Sequence, residues 1–262
     1  MRLIDINECQ QILLDIAKAV DSICRQNHIP YYLLGGSMLG AIRHKGFIPW
    51  DDDMDIGIPR SYYEKFLEIA NKTLPLHYKV LTYKNDKRIV FGVSKIQDVR
   101  TLIDDPRSRH PLDQQLGINV DIFPLDYCGK LGVKYYSSRV LIRLQRLLFV
   151  ESTRPNIFKT LSRKVLRALF SVRQSYLPEV VDKIIVGFSN KNSFMGSFWS
   201  GYKAKHIMPS DVWGEPTEYK FEDAYFLGVY DYDSYLTTLM GNYMQLPSIN
   251  KRIAHCSNIY FR

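Results

Sequence analysis

A run of acids set in an alternating pattern constrains the fold of this chain more than any other feature of its sequence. Four carboxylates fall within residues 51–55, and residues 53–58 alternate between polar and apolar side chains. A period of two predicts a β-strand with one wet face and one buried face. On such a strand Asp51, Asp53 and Asp55 would project together, whereas the side chains between them would point the other way.

Carboxylates at this density repel one another unless a cation lies among them. Oxygen ligands favour Mg²⁺ or Mn²⁺, and Mg²⁺ commonly takes phosphate oxygens of a substrate as further ligands. The chain as a whole is basic, since 35 Lys and Arg stand against 27 Asp and Glu and the net charge is +8. This balance favours partners that carry phosphate, namely a nucleotide, a nucleic acid or an anionic membrane surface.

Three other interpretations of the acidic run were weighed against a phosphate-binding metal site. An EF-hand loop is disfavoured because Ile56 and Tyr62 occupy the positions of its Gly and its Glu. A solvated acidic turn is disfavoured because Ile and Pro flank the run and make a strand the better prediction. A glycosyltransferase Asp-x-Asp motif, which holds a metal on a nucleotide sugar, stays open on the acids alone.

A glycine turn upstream of the acids favours phosphate binding. Residues 31–34 are aromatic and apolar, which predicts a short strand, and Gly35 and Gly36 follow it directly. Ser37 is then placed to cap a short helix that ends near Arg43. Such a turn offers backbone N–H groups and a hydroxyl to a phosphate.

A further carboxylate, beyond the four of residues 51–55, lies in an apolar segment later in the chain. Asp121 falls within the predicted strand of residues 117–123, where an unpaired carboxylate is costly unless a metal or a hydrogen bond compensates it. The alternative is a buried acid with a purely structural partner. Asp126 follows Pro124 and is expected to lie beyond the end of that strand.

The remaining periodicity predicts helices and strands in alternation, so the first half of the chain is expected to be mixed α and β. Helices are predicted where apolar residues recur at a helical spacing, and strands where short apolar runs are bounded by Pro, Asn, Asp or Gly. The predicted helices are residues 8–26, 61–71 and 232–239, and the further strands are residues 78–83 and 88–96.

A basic segment divides the chain into three predicted parts. Between residues 130 and 175 there are eleven Lys and Arg and a single acid, Glu151. Leucine-rich faces at residues 140–148 and 161–170 predict two amphipathic helices. The basic face is either solvated or rests on anionic lipid or an anionic glycan carrier. We therefore expect a catalytic core at 1–128, a basic helical insertion at 129–190, and a C-terminal portion at 191–262 that completes the catalytic domain.

The sequence predicts a cytoplasmic protein. Its four cysteines form no C-x-x-C pair, which is typical of a reducing compartment. The first residues lack the apolar core of a signal peptide, and no run reaches the length of a membrane-spanning helix. The basic helices leave open a peripheral position at the inner face of the plasma membrane. RNA-reading motifs are absent, which argues against nucleic acid as the partner.

Three segments together resemble the LicD family of the DNA-polymerase-beta-like nucleotidyltransferase superfamily, to which the fukutin-related transferases also belong. They are residues 34–56, LGGSMLGAIRHKGFIPWDDDMDI, residues 120–126, VDIFPLD, and residues 232–247, YDSYLTTLMGNYMQLP. The resemblance implies an α+β fold with a nucleotidyltransferase-like mixed sheet flanked by helices, to which the basic helical region is added.

The resemblance also implies an activity. Members of the family transfer a phosphorylated alcohol, such as phosphocholine or a polyol phosphate, from a CDP-linked donor to a sugar hydroxyl. The acceptor is expected to be a cell-surface glycan or its lipid-linked precursor, such as lipopolysaccharide, capsule or teichoic acid. The alternatives are a nucleotidyltransferase that moves a nucleoside monophosphate from an NTP with release of pyrophosphate, and a glycosyltransferase that uses a nucleotide sugar.

The implied chemistry assigns roles to named residues. Two Mg²⁺ or Mn²⁺ ions would be held by the catalytic acids Asp53, Asp55 and Asp121, with Asp51 as a further candidate ligand. Asp121 would also accept the proton of the attacking hydroxyl. The residues expected to bind the donor are Gly35, Gly36, Ser37, Arg43, Lys45, Trp50 and Lys95. The more distant candidates are Lys251, Arg252 and His255.

Overall fold

A mixed β-sheet brings the acids predicted from the sequence to neighbouring strands. The computed structural model describes residues 1–105, 108, 110–128, 133–150, 165, 176–186, 193–252, 254 and 258–262. Its strands are β1 (Arg2–Leu3), β2 (Tyr32–Leu33), β3 (Asp55–Pro59), β4 (Tyr78–Leu81), β5 (Ser94–Asp98), β6 (Thr101–Asp104), β7 (Asn119–Cys128), β8 (Phe194–Gly196), β9 (Met208–Pro209), β10 (Thr217–Phe221), β11 (Ala224–Gly228) and β12 (Asn258–Phe261).

The helices flank this sheet and connect its strands. They are α1 (Ile6–Gln26), α2 (Gly35–Arg43), α3 (Arg60–Thr73), α4 (Val133–Phe149), α5 (Tyr176–Val186), α6 (Ser210–Trp213) and α7 (Tyr232–Met240). Helix α1 buries one face, and it contacts α3, β5 and β7. Asp5 caps its first turn by accepting a hydrogen bond from the backbone N–H of Glu8 at 2.9 Å.

The strand order of the main sheet is β10-β11-β2-β3-β7-β5-β4, and β8 and β9 extend it from the far end of β7. Strands β3 and β7 run parallel, as do β11 and β2, and the other pairs along this path are antiparallel. A smaller antiparallel sheet has the order β1-β12-β6. The predicted α+β class with a mixed sheet and flanking helices is confirmed.

Several predicted boundaries are wrong around the acids. Strand β3 begins at Asp55, so Asp53 precedes the strand instead of belonging to it. Strand β7 continues to Cys128, so Asp126 lies inside the strand and is buried. Pro124 does not end β7: it pairs with Ile58 of β3, and on its other side it falls between the segments that pair with β5 and with β8, where no ladder N–H is required.

The helix after the glycine turn also begins earlier than predicted. Helix α2 starts at Gly35, with Leu34 in the extended conformation before it, so Ser37 lies inside the helix and is not its cap. Gly35 has a φ of 48° and thus lies in the left-handed region that favours glycine. The glycine turn is therefore also the first turn of α2, directly after β2.

The C-terminal part of the chain contributes strands that the sequence did not predict. The β10–β11 hairpin joins the sheet because β11 pairs with β2 at Gly228 and Leu33. The predicted helix at 232–239 is confirmed as α7. The boundaries proposed at 128/129 and 190/191 stay predictions.

The predicted basic helices have different outcomes. The first corresponds to α4, which packs against α5. The second, at residues 161–170, lies outside the described residues except for Val165. Among the helices that the structure describes, none combines the length and the apolar character required to cross a bilayer.

Candidate active site

Two of the predicted catalytic acids lie directly opposite each other on parallel strands. Asp55 opens β3 and is in register with Asp121 on β7, and both side chains are half-buried. Burial, followed by the negative charges of Asp53 and Asp121, raises the pKa of Asp55 well above its ordinary value. Asp53, Asp55 and Asp121, which come from two segments of the chain, are therefore close enough for their charges to interact.

Lys95 lies beside this acidic group, on the side of β7 away from β3. It is in register with Asp121 on the adjacent strand β5, and its ammonium group forms an ion pair with the Asp121 carboxylate. It also donates a hydrogen bond to Asn119 Oδ1 at 2.9 Å. Its positive charge opposes the rise in the pKa of Asp55. The sequence predicted Lys95 as a donor-binding residue, and the structure places it beside the acids.

The start of α2 packs against the same acids. Ser37 Oγ accepts a hydrogen bond from the backbone N–H of Asp55 at 2.9 Å, which ties the helix to the first residue of β3. A Cβ atom on Gly36 would lie 2.9 Å from Asp51 Oδ2, so a larger residue there would displace that carboxylate. The positive end of the helix dipole therefore faces a cluster of negative charge, which stabilises both.

The four acids of residues 51–55 differ in their surroundings. Asp53 is exposed, Asp51 and Asp55 are half-buried, and Asp52 is buried with 6% of its surface exposed. The side-chain amide of Gln10 on α1 donates to the backbone carbonyl of Asp51 at 2.8 Å, which fixes the path of the loop. The loop is therefore held in place where it leads into β3.

The acids do not form a ready-made metal site. Within the described ranges, no group of three or more His, Cys, Asp or Glu side chains is close enough together to hold a metal ion. Asp121 is occupied by Lys95 in this arrangement. The donor set of Asp53, Asp55 and Asp121 still has the chemistry that Mg²⁺ or Mn²⁺ requires, because all three are carboxylates and their charges are concentrated.

A tyrosine that the sequence did not single out overlies the glycine turn. The ring of Tyr202 comes within 3.3 Å, and its hydroxyl within 3.7 Å, of the point where a Cβ on Gly35 would lie. Asp55 Oδ2 is 3.7 Å from the same point. Burial, together with the charges of Asp55 and Asp53, raises the pKa of Tyr202 to about 12. Tyr202 is therefore a protonated hydrogen-bond donor at the acidic group.

A buried chain of hydrogen bonds supports this tyrosine and the turn beneath it. The ring of Tyr202 stacks on that of His206, with 6.5 Å between centroids and 19° between planes. His206 Nδ1 accepts from the backbone N–H of Ser197 at 3.1 Å, so Nε2 carries the proton and donates to Tyr235 Oη at 3.1 Å. Tyr235 Oη also accepts from the backbone N–H of Gly35 at 3.1 Å.

The burial of His206 determines its charge. The side chain is 1% exposed, and burial lowers its pKa to about 3. The imidazole is therefore neutral at physiological pH, and its single N–H is directed at Tyr235. Tyr235 belongs to a segment that the sequence singled out, whereas nothing in the local pattern marked Tyr202 or His206.

A second group of predicted residues gathers at the other end of α2. The guanidinium of Arg252 lies over the ring of Trp50, 5.3 Å from its centroid, and the rings of Trp50 and His44 meet edge to face at 6.4 Å. Arg43 donates to His44 Nε2 at 2.9 Å and to the backbone carbonyl of Tyr243 at 2.7 Å. The structure thus joins Arg43, Trp50 and Arg252 into what we call the basic cluster.

The other predicted basic residues, Lys45, Lys251 and His255, are not assigned to the basic cluster. Lys45 follows α2 with a φ of 59° and is exposed. Lys251 is exposed at the end of a short turn, next in sequence to Arg252. His255 lies outside the described residues.

Asp126 belongs to a structural ion pair and not to the acidic group. Its carboxylate accepts two hydrogen bonds from Arg60, at 2.8 and 3.1 Å, and both side chains are largely buried. Arg60 also contacts Asp182 on α5 at 3.3 Å. Asp182 in turn accepts hydrogen bonds from Tyr83 at 2.8 Å and Trp199 at 3.3 Å. We call these residues the Arg60 network.

Comparisons with known proteins agree with this geometry. Residues 28–127 match the LicD/FKTN/FKRP nucleotidyltransferase domain. This range includes the glycine turn, the acidic loop, β3 and the Asp121 segment of β7. The chain is 29% identical, over 94% of its length and 94% of the relative's length, to the lipopolysaccharide cholinephosphotransferase LicD of Haemophilus influenzae.

A second relative matches over a shorter stretch. The chain is 44% identical over 50 residues to the human ribitol 5-phosphate transferase FKRP, a match that covers 19% of this chain and 10% of that protein. The opposed acids of β3 and β7, the glycine turn that contacts them and these matches lead to one conclusion: residues 28–127 of the chain form a LicD-type nucleotidyltransferase domain.

Proposed function

We propose that this protein transfers a phosphorylated alcohol, phosphocholine or a polyol phosphate, from a CDP-linked donor to a sugar hydroxyl of a cell-surface glycan or its precursor. The observation that carries the proposal is the pairing of Asp55 with Asp121 on parallel strands, at the N-terminal end of α2. The names of the two relatives, a cholinephosphotransferase and a ribitol 5-phosphate transferase, support the choice of the transferred group.

The acids would hold one or two divalent ions. Asp53 and Asp55, with Asp121 from the neighbouring strand, supply the carboxylate oxygens that Mg²⁺ or Mn²⁺ prefers, and Asp51 lies beside them. When bound, such ions neutralise the charge on the transferred phosphoryl group and on the departing nucleotide. A bound cation would relieve the repulsion among these carboxylates, which contributes to the raised pKa of Asp55.

The glycine turn and its neighbours would seat the donor diphosphate. The backbone N–H of Gly35 donates to Tyr235, whereas those of Gly36 and Ser37, in the first turn of α2, have no carbonyl partner within the helix and would attract phosphate oxygens. Tyr202 keeps its proton because its pKa is about 12, so its hydroxyl donates to a phosphate oxygen above Gly35. The buried Tyr235 hydroxyl fixes the backbone of Gly35 in this position.

The proposed reaction is a single displacement at phosphorus. The sugar oxygen forms a new bond to the phosphorus next to the alcohol, and the bond from that phosphorus to the bridging oxygen of CMP breaks. Asp121 accepts the proton of the sugar hydroxyl. Lys95, which pairs with Asp121 in this structure, is close enough to turn to a phosphate oxygen once the donor binds.

The products released by the enzyme test this proposal against its two alternatives. Purified protein is given CDP-choline, CDP-glycerol, CDP-ribitol, each of the four NTPs or a nucleotide sugar, with Mg²⁺ and a glycan acceptor. CMP release from a CDP-alcohol supports the proposal. Pyrophosphate release from an NTP without CMP would establish a nucleotidyltransferase instead, and nucleoside diphosphate from the nucleotide sugar would establish a glycosyltransferase.

We further propose that the enzyme works in the cytoplasm at an anionic membrane surface. On α4, Tyr136 and Val140 are 63% and 60% exposed and share a face with the exposed Arg143. Apolar and cationic side chains on one helix face are typical of interfacial binding. Flotation with vesicles that contain or lack anionic lipid tests this, and equal flotation with both would refute an electrostatic docking face.

A further inference from the structure

The basic cluster at the C-terminal end of α2 holds two guanidinium groups, those of Arg43 and Arg252. Arg43 and Arg252 approach from different parts of the chain, one at the end of the helix and one from the loop after α7. In the described part of the chain, neither forms an ion pair with a carboxylate. The remaining contacts of the two guanidinium groups are with neutral groups: two backbone carbonyls, the His44 ring and the Trp50 face.

Bringing these charges together costs free energy in the absence of a ligand. Burial, and then the positive charge of Arg252, lowers the pKa of Arg43, and burial, followed by the charge of Arg43, lowers the pKa of His44. Because His44 Nε2 accepts from Arg43, the imidazole is neutral and adds no third charge. Two neighbouring arginines, one of them stacked on an aromatic ring, favour the binding of an anion.

Arg43 lies at the opposite end of α2 from the acidic group, although Trp50 directly precedes Asp51 in the chain. Gly36 contacts Asp51 at the start of α2, whereas Arg43 ends the helix seven residues later, and this corresponds to about 10 Å along the axis at ~1.5 Å per residue. The sequence alone assigned Arg43 and the glycine turn to the same diphosphate. The separation along the helix instead favours two anion sites, one at each end of α2.

We propose that Arg43, Arg252 and Trp50 form a second phosphate-binding subsite, distinct from the seat of the reacting diphosphate at the glycine turn. Arginine presents a planar fork of N–H donors that matches phosphate oxygens, and the stacking on Trp50 holds Arg252 in a fixed orientation. Both phosphates of a CDP-linked donor belong to the reacting diphosphate, so the phosphate that fits this subsite is one carried by the glycan acceptor. The site itself is independent of the proposed function, and only the source of its phosphate rests on it.

Direct binding measurements on the full chain test the subsite without any turnover. Calorimetry at low ionic strength is performed with CDP, which represents the donor, and with glucose 1-phosphate, which represents a phosphorylated acceptor. Arg252→Gln is expected to weaken binding of glucose 1-phosphate by about 10-fold or more and to leave CDP binding nearly unchanged, since a charge-assisted hydrogen bond contributes about 1.5–3 kcal/mol. Weaker binding of CDP alone would overturn the subsite, because it would place Arg252 at the seat of the reacting diphosphate.

Two further variants make the result decisive. Arg2→Gln removes an exposed arginine from β1 and should bind both probes like the wild type. Arg252→Lys keeps the charge and the apolar stem over Trp50 but loses the planar fork, so it should recover part of the affinity and should fold even if Arg252→Gln does not. Unchanged affinity for both probes in a folded Arg252 variant would overturn the subsite. Failure of the proposed function is a separate outcome, since wild-type protein would then bind the probes without releasing CMP from any CDP-alcohol.

Discussion

Asp55 and Asp121 face each other across two parallel strands and share one electrostatic environment. Neither acid is near the other in sequence, and only the register of β3 with β7 brings them together. Neighbouring strands of a sheet lie about 4.8 Å apart. Two residues in register on such strands can therefore hold their carboxylates side by side on one face of the sheet.

Replacement of either acid should remove activity without unfolding the protein. Asp55→Asn and Asp121→Asn are each expected to lower turnover of the CDP-alcohol by about 10³-fold or more, the scale expected when a charge that stabilises a phosphoryl transition state is lost. Both side chains are only half-buried, so chemical denaturation should report stability near that of the wild type. Asp223→Asn, at an exposed ion pair with Lys18, is the matched control and should retain full activity. Retention of turnover by both site variants would refute the catalytic assignment.

Divalent ions should stabilise the folded protein through the same acids. A ligand that binds only the native state at 100 times its dissociation constant adds about 2.7 kcal/mol, so millimolar Mg²⁺ or Mn²⁺ should raise the melting temperature. The increase should disappear in Asp55→Asn.

Lys95→Met removes the ammonium group that pairs with Asp121 and is expected to bind Mn²⁺ more tightly than the wild type, measured by the loss of the free Mn²⁺ resonance signal. Equal melting temperatures with and without metal in the wild type would contradict a metal site.

The hydroxyl of Tyr202 should matter for the reaction and not for the fold. Tyr202→Phe keeps the stack on His206 but removes the donor above Gly35, so kcat/KM should fall by about 10- to 100-fold while the melting temperature changes little. Tyr225→Phe, at an exposed position on β11, is the control. If both variants are equally active, Tyr202 is only a packing residue.

The burial of His206 predicts how stability depends on pH. Its pKa is about 3 in the folded protein and ~6.5 when unfolded, so between these values the unfolded chain binds the additional proton. Stability from this group is complete above pH 6.5 and is lost as the pH falls, by about 2 kcal/mol at pH 5. Urea denaturation at pH 7 and pH 5 should show this loss in the wild type and a smaller one in His206→Gln. The same slope in both proteins would show that His206 is not the group responsible.

The Arg60 network should contribute to stability far more than ion pairs at the surface. Asp126→Asn leaves the buried Arg60 guanidinium without its bidentate partner and is expected to cost about 3 kcal/mol of the free energy of unfolding. Glu68→Gln, which breaks the exposed pair with Lys72, should change it far less, because solvent screens that pair. Similar values for the two variants would refute a structural role for the network.

The parts of the site that follow from local pattern were predictable from the sequence. The glycine turn, the acids of residues 51–55 and Asp121 could each be predicted from the residue pattern of its own short segment. Strand β3 was predicted two residues too early, because the alternation of residues 53–58 cannot distinguish a loop that leads into a strand from the strand itself. Ser37 was assigned as a cap for a similar reason, since Gly35 begins the helix through a left-handed conformation that no pattern of side chains reveals.

The parts that depend on tertiary contacts were not predictable. Tyr202 and His206 reach the glycine turn only through the packing of the segment after β8, and their neighbours in sequence give no periodic signal. Asp126 was expected beyond a strand that Pro124 would end, whereas β7 continues because Arg60 satisfies the buried carboxylate. Pairing of β11 with β2 could not be inferred either, because nothing local relates residues about 200 positions apart.

The hydrogen bond from Gly35 to Tyr235 also bears on how the protein is made. Strand β2 lies between β3 and β11, and the backbone N–H of Gly35 finds its acceptor on α7. During synthesis the ribosome completes the acids of β3 and β7 long before these partners emerge. A nascent chain that has reached β7 therefore has both acids but an open sheet edge at β2 and an unsupported turn, so catalytic competence should arise only after α7 has left the exit tunnel.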